Sequence, residues 1–174
     1  SQAEHDENSQ SIFITDDIEY AMTVDNAVNE LLQTLNRADI ADKSWRNNGL
    51  IIIVNDLNES VNLINKIAPE HLELVVDNAE ELAGKINNAG AIFMGKFSPE
   101  AFGDYMAGPS HVLPTSSTAR FSSGLSSMTF LKRTSLIKCS QQSFNKLAEQ
   151  TIIISDSEKL DAHSLSLKLR INDN

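Results

Sequence analysis

The side chains best suited to chemistry are four histidines, His5, His71, His111 and His163, each in polar or acidic company. Gln2 and His5 stand three residues apart in Gln2-Ala3-Glu4-His5-Asp6, a spacing that puts both on one face of a helical turn. Glu70-His71 follows Pro69 and precedes a strand-like stretch. An adjacent carboxylate and imidazole supply two proton-transfer groups, and imidazole changes charge near neutral pH. Asp104, in Phe102-Gly103-Asp104-Tyr105, stands seven residues before His111. Carboxylate and imidazole held in a rigid loop suit zinc. Glu158 and His163 share the run Glu158-Lys159-Leu160-Asp161-Ala162-His163, which reads as part of one final helix. Taken singly, such residues are more often solvated than functional, and spacing alone does not bring these groups together. Cys139 is the single cysteine, so it has neither a disulfide partner nor metal-site spacing, and no base flanks it.

The elements that must position these groups follow from periodicity. Residues 11–15 form a short strand candidate. A helix follows, with Asp16 and Asp17 as caps and Ile18, Ala21, Met22, Val28, Leu31, Leu32 and Leu35 at three- and four-residue spacing. A second helical stretch runs to Trp45, and residues 50–54 are a continuous apolar strand. Asp56 caps a helix through Ile67, ended by Pro69. Then come a strand (72–76), a helix (78–86) and a strand (91–94). This alternation predicts an α/β fold, a largely parallel sheet flanked by helices, of the kind forming half of a Rossmann-like domain. Residues 95–124 hold four of the seven glycines and three of the four prolines, together with Phe97, Phe102, Tyr105 and Phe121. They read as an ordered loop crossing the end of the sheet, where α/β folds place ligands. Beyond it the pattern predicts a strand at 130–137, a helix at 142–153 and a last helix from Ser157 to Ile171, capped by Asp156 or Ser157. The division expected is 1–138, carrying the loop, and a small helical appendage, 139–174.

With 174 residues and 41% hydrophobic content, the chain has the composition of a globular protein. Its net charge of −10 makes nucleic acid and anionic membranes poor partners, since binding phosphate requires clustered cations. The apolar runs fall far short of the ~20 residues a membrane helix needs, and a cytoplasmic protein is expected. The chain opens Ser1-Gln2-Ala3 without Met, and reads as part of something longer.

Three blocks carry a resemblance: Pro99-Glu100-Ala101-Phe102-Gly103-Asp104-Tyr105, Gly108-Pro109-Ser110-His111-Val112-Leu113-Pro114-Thr115, and Ala119-Arg120-Phe121-Ser122-Ser123-Gly124-Leu125. With Gln2-Ala3-Glu4-His5-Asp6, Pro69-Glu70-His71-Leu72, Asn88-Ala89-Gly90-Ala91-Ile92-Phe93 and Leu160-Asp161-Ala162-His163, in that order, they resemble histidinol dehydrogenase, over essentially the whole chain. The resemblance implies a C-terminal portion of that enzyme, which oxidises L-histidinol to L-histidine with zinc and two NAD. It implies zinc ligands at Gln2, His5, Asp104 and His163, and a catalytic pair at Glu70 and His71. Substrate contacts are implied at Gln2, His5, His71, Asp104, Tyr105, His111, Glu158 and His163. It further implies a homodimer in which Glu158 and His163 serve the neighbouring site. NAD contacts are expected outside this chain, which carries no Gly-x-Gly-x-x-Gly, so the chain alone is expected to be inactive. Thr129 departs from the family's usual acidic residue. A remnant that binds zinc or a partner without catalysis is the alternative, and a zinc hydrolase a third possibility.

Overall fold

The computed structural model describes residues 1–172. Contacts divide the chain into two units, Ser1–Phe130 and Leu131–Asn174. The first opens with a 3-10 turn at Gln2–Glu4 and strand β1 (Ile12–Thr15), followed by helices α1 (Ile18–Leu32) and α2 (Ala38–Asn48) and strand β2 (Leu50–Ile53). A 3-10 turn at Leu57–Glu59 leads into α3 (Ser60–Ile67), then β3 (His71–Leu74), α4 (Ala79–Ala83), β4 (Ala91–Met94) and α5 (Ala101–Tyr105).

Local chemistry explains where the helices begin and end. Asp17 sits in extended conformation, and one carboxylate oxygen accepts the N–H groups of Glu19 (2.8 Å) and Tyr20 (3.0 Å), which otherwise lack helical partners. Asp56 does the same for the Asn58 N–H at 2.7 Å. Helix α3 stops at Ala68, a buried residue in left-handed conformation (φ 50°, ψ 63°) whose N–H returns to the Ile64 carbonyl at 2.8 Å. Pro69 follows and cannot continue the helix, so the chain turns out of α3 directly into Glu70 and His71.

Both sheets are parallel, as the alternation of strands and helices predicts, but the strands form two separate pairs. β1 pairs with β2 in the register Ile12↔Leu50 to Thr15↔Ile53, and β3 with β4 in the register His71↔Ala91 to Leu74↔Met94. Helix α1 lies against β1 and β2, and α4 against β3 and β4. The apolar cluster under the second pair consists of Leu74, Ala79 and Leu82, flanked by Val61, Leu72, Val76, Ala83 and Ile92. Side chains alternate along a strand, so Leu72, Leu74 and Ile92 face this core, while His71, Glu73 and Phe93 lie on the opposite face.

Three expectations need correction. The strand expected at 130–137 does not form. A 3-10 turn occupies Ser127–Phe130, and residues 131–140 have no regular structure. Leu136 and Ile137 are 93% and 88% exposed there: a strand needs a neighbour to pair with, and this segment has none among the described residues. Residues 95–124 are not all loop, because they include α5. The last helix also begins later than expected, at Asp161 and not at Ser157.

The second unit is a pair of helices in contact, α6 (Gln141–Ser157) and α7 (Asp161–Asn172). Ser140 caps α6, its hydroxyl accepting the Ser143 N–H at 3.1 Å. Lys159 at φ 58° turns the chain between the helices. Small residues are the buried ones here: Ala148, Ser155 and Ser164, with Asp156 paired to Lys168 at 3.3 Å. Asp156 therefore links the two helices rather than capping the second. No helix of the described residues is long and apolar enough to cross a membrane.

Two stability outcomes follow. Leu74 is 4% exposed in the cluster under β3, so Leu74→Ala should cost about 2–5 kcal/mol in denaturant unfolding. Asp56 is held below its ordinary carboxylate value of 3.8, chiefly by the Asn58 backbone N–H and then by the Asn58 side chain. Its contribution is therefore complete above that value and fades as pH falls through the lower folded value. Thermal midpoints of wild type and Asp56→Asn should agree near neutrality and diverge below pH ~4, where only the wild type loses its charged cap.

Candidate active site

The site is assembled on the face of β3 that turns away from the apolar cluster. His71 opens β3, and its ring stacks on Phe93 of β4, with centroids 6.1 Å apart and planes at 29°. Gly103 in α5 lies directly on that ring: a Cβ built there would stand 2.6 Å from Phe93 Cζ. The start of α5 is tied to the same strand, because Glu73, two residues beyond His71, accepts the Glu100 N–H at 2.7 Å. Glu100 and Asp104, four residues apart, then come off one side of this short helix.

The result is a cluster of His71, Glu100 and Asp104 whose ligating atoms all lie within 4.8 Å of one another. His71 Nε2 and Glu100 Oε1 are 3.7 Å apart, and their side chains are only 14% and 7% exposed. That distance suits an ion pair but is too long for a direct hydrogen bond. Glu100 Oε2 accepts from Ser1 Oγ at 3.3 Å, while Oε1 is buried with no hydrogen-bond partner. The Ser1 bond brings the first turn of the chain to the cluster. Gln2–Glu4 is a 3-10 turn with His5 at its end, and three residues per turn stack Gln2 and His5 on one side. The turn is held from α2: Arg37 Nη2 donates to the His5 carbonyl (3.3 Å), Asn48 Nδ2 to the Glu7 carbonyl (3.0 Å), and Ser44 Oγ to the Ser9 carbonyl (2.7 Å).

The other expected residues fall as follows. Gln2 is half-buried, and its Nε2 is enclosed without a partner. His5 is exposed. Glu70 is half-buried, and its backbone is fixed where Ala91 donates to its carbonyl at 2.9 Å. A Cβ on Gly90 would meet that carbonyl at 2.5 Å, so the close approach requires glycine. Tyr105 is 81% exposed and His111 is exposed. The loop that carries His111 is secured to the end of α3, where Arg120 and Ser117 donate to the Lys66 and Ile67 carbonyls at 2.9 and 2.6 Å. Glu158 and His163 do not share a helix. Glu158 ends α6, His163 lies in α7, and both are exposed in the second unit. A surface depression between α1, α2 and β2, lined by Asp25, Asn29, Trp45, Arg46, Gly49 and Ile51, includes none of these residues.

Two participants were missed in the sequence, and each had a signal. Glu73 shares the strand face of His71 in the alternating run His71-Leu72-Glu73-Leu74. Glu100 precedes Asp104 by one helical turn, a relation hidden while the segment is taken as loop.

The donor set fits a metal of zinc's preferences. It offers imidazole nitrogen and carboxylate oxygen, with no thiolate, and one of those oxygens, Glu100 Oε1, is buried without a partner. Because Phe93 is held between Gly103 and His71, a methyl group at position 103 should disturb all three. Gly103→Ala should cost about 1–3 kcal/mol in unfolding free energy. It should also shift the Phe93 ring resonances in a methyl-and-aromatic NMR spectrum, whereas Gly84→Ala, at φ −62° and with no atom nearer than 3.4 Å to its Cβ, should leave them in place.

Comparison with known proteins agrees with this architecture. The family model described as histidinol dehydrogenase matches residues 1–171. A histidinol dehydrogenase of Rhodospirillum rubrum is 51% identical over 173 residues, covering 99% of this chain and 40% of that protein. One from Acinetobacter baylyi is 52% identical over 170 residues, covering 98% of this chain and 40% of that protein. In the crystal structure of histidinol dehydrogenase from Elizabethkingia anophelis, the match has a TM-score of 0.89 at 32% identity over 98% of this chain and 39% of that one. The chain thus spans about 40% of the length of the curated relatives it matches. With its family model matched over nearly every residue and its fold reproduced, the chain belongs to the histidinol dehydrogenase family.

Proposed function

We propose that this chain forms part of a cytoplasmic, zinc-dependent enzyme that oxidises L-histidinol to L-histidine with two NAD. The observation that carries this is the convergence of His71 and Asp104 on the open face of β3, in a chain belonging to this family. Gln2, His5 and Asp104 would hold the metal, with His163 supplied from a second copy. Zinc, when bound, would anchor the imidazole and amine of the substrate and fix the carbinol carbon. His71, its ring stacked on Phe93, accepts the hydroxyl proton as hydride departs to NAD. Glu70, next along the chain, activates the water that adds to the aldehyde before the second hydride leaves. Tyr105, His111 and Glu158 would contact substrate.

Support for a homodimer comes from the second unit. Its helices expose Leu147, Ile153, Ile154, Leu165 and Leu169, each more than half accessible, an apolar surface of the kind that packs against another chain. Because the chain spans about 40% of its relatives' length, turnover is assigned to the complete polypeptide, and the 174-residue chain alone should not reduce NAD with histidinol. Substantial turnover by the purified chain would refute that assignment.

In the complete polypeptide, His5→Ala and Asp104→Ala should lower bound zinc and turnover together, read by elemental analysis and NADH absorbance. His71→Asn should instead keep its zinc and lose about 10²–10⁴-fold in kcat, the scale of a general base. Full activity with unchanged zinc in either metal-ligand variant would show the site to be wrongly assigned.

A further inference from the structure

Glu100 has no part in the reaction as set out above, yet it is the most enclosed charged side chain of the cluster. Oε2 is occupied by Ser1 Oγ, and the backbone N–H is occupied by Glu73. Oε1 is buried, without a donor, and stands 3.7 Å from His71 Nε2. A carboxylate oxygen removed from water and left unpaired is costly, so its position beside His71 calls for a group rich in N–H donors.

We infer that Glu100 is a substrate-binding residue whose Oε1 receives the amino group of the amino alcohol. This rests on the histidinol reading. In histidinol the amine-bearing carbon is bonded to the carbinol carbon. A substrate whose hydroxyl is presented to His71 therefore places its amino group two carbons from that hydroxyl, on the scale of the 3.7 Å between His71 Nε2 and Glu100 Oε1. An amine held to the metal through its lone pair still carries two N–H donors for an oxygen that has none. Asp104, on the same side of α5 one turn later, remains available to the metal. Glu100 thereby discriminates between an amino alcohol and a plain alcohol carrying the same imidazole, because a site built around a buried acceptor penalises the ligand that leaves it unpaired.

The test uses the complete, zinc-loaded protein and isothermal titration with two ligands, L-histidinol and 3-(imidazol-4-yl)propan-1-ol, which lacks the amine. Glu100→Gln keeps the volume and removes the charge, and Glu100→Ala removes the acceptor. Both should weaken histidinol by about tenfold or more, the scale of one charge-assisted hydrogen bond, and leave the affinity for the des-amino alcohol unchanged. Zinc per protomer should stay at the wild-type level in both. An equal loss for the two ligands would overturn the inference in favour of a purely structural role. Loss of zinc would overturn it in favour of Glu100 as a metal ligand, and unchanged histidinol affinity in both variants would also overturn it. If the wild-type protein does not oxidise histidinol at all, it is the underlying functional reading that falls.

Discussion

The structure around the site depends on the two-residue alternation of a four-residue strand. In His71-Leu72-Glu73-Leu74, the even positions press into the cluster with Ala79 and Leu82, and the odd positions are left to the opposite face. Burying Leu74 sets the rotation of the strand, since a slip of one residue would send Leu72 and Leu74 to the open face and His71 and Glu73 into the apolar cluster. The geometry of His71 is thus enforced by residues that never approach it. Packing energy on one side of the strand is converted into chemical placement on the other.

The remaining contacts of the site are built outward from that face. Glu73 secures the first N–H of α5, and Gly103 lets that helix rest on Phe93, which supports the His71 ring. Glu100 and Asp104 then arrive beside His71 because they are one turn apart on a helix whose start and whose flank are both pinned. From the other direction, α2 holds the N-terminal turn through backbone acceptors, and Ser1 links it to Glu100. Nearly every one of these restraints is polar, short in reach and dependent on a neighbouring element. Such a site is sensitive to small displacements, as positioning by directional bonds requires.

The apolar balance of the chain points outward as well. Among the described residues, alanine supplies six of the ten buried hydrophobic ones, whereas Phe97, Tyr105, Met106 and Phe121 are each at least 80% exposed. Several of these flank α5 and the His111 loop, on the same stretch of chain as Glu100 and Asp104. Exposed aromatic surface beside a polar cluster is the composition of a surface that meets another molecule, and it accords with a chain spanning about 40% of its relatives.

Much of the local structure was legible in the residues themselves. Asp17 and Asp56 announce helix starts because their carboxylates satisfy N–H groups within their own next turn, and Pro69 ends α3 through its own ring; none of this requires a distant partner. The family, too, was legible, because its signature blocks are long and contiguous. What the residues alone could not decide were relations between separated segments. Residues 130–137 have a strand-like composition, but a strand exists only where another offers its backbone, and none does so there. Glu158 and His163 look like one helix until Lys159 takes a positive φ and makes two. Glu100 is an ordinary acidic residue in sequence, and becomes a buried, half-satisfied carboxylate only when α5 is laid across β3 and β4 and Ser1 closes over it. Local hydrogen bonding and covalent restriction are properties of neighbouring residues, so the sequence by itself determined caps, turns and strand faces. Burial and convergence are properties of the packed chain, so only the tertiary structure decided which carboxylate stands beside the histidine.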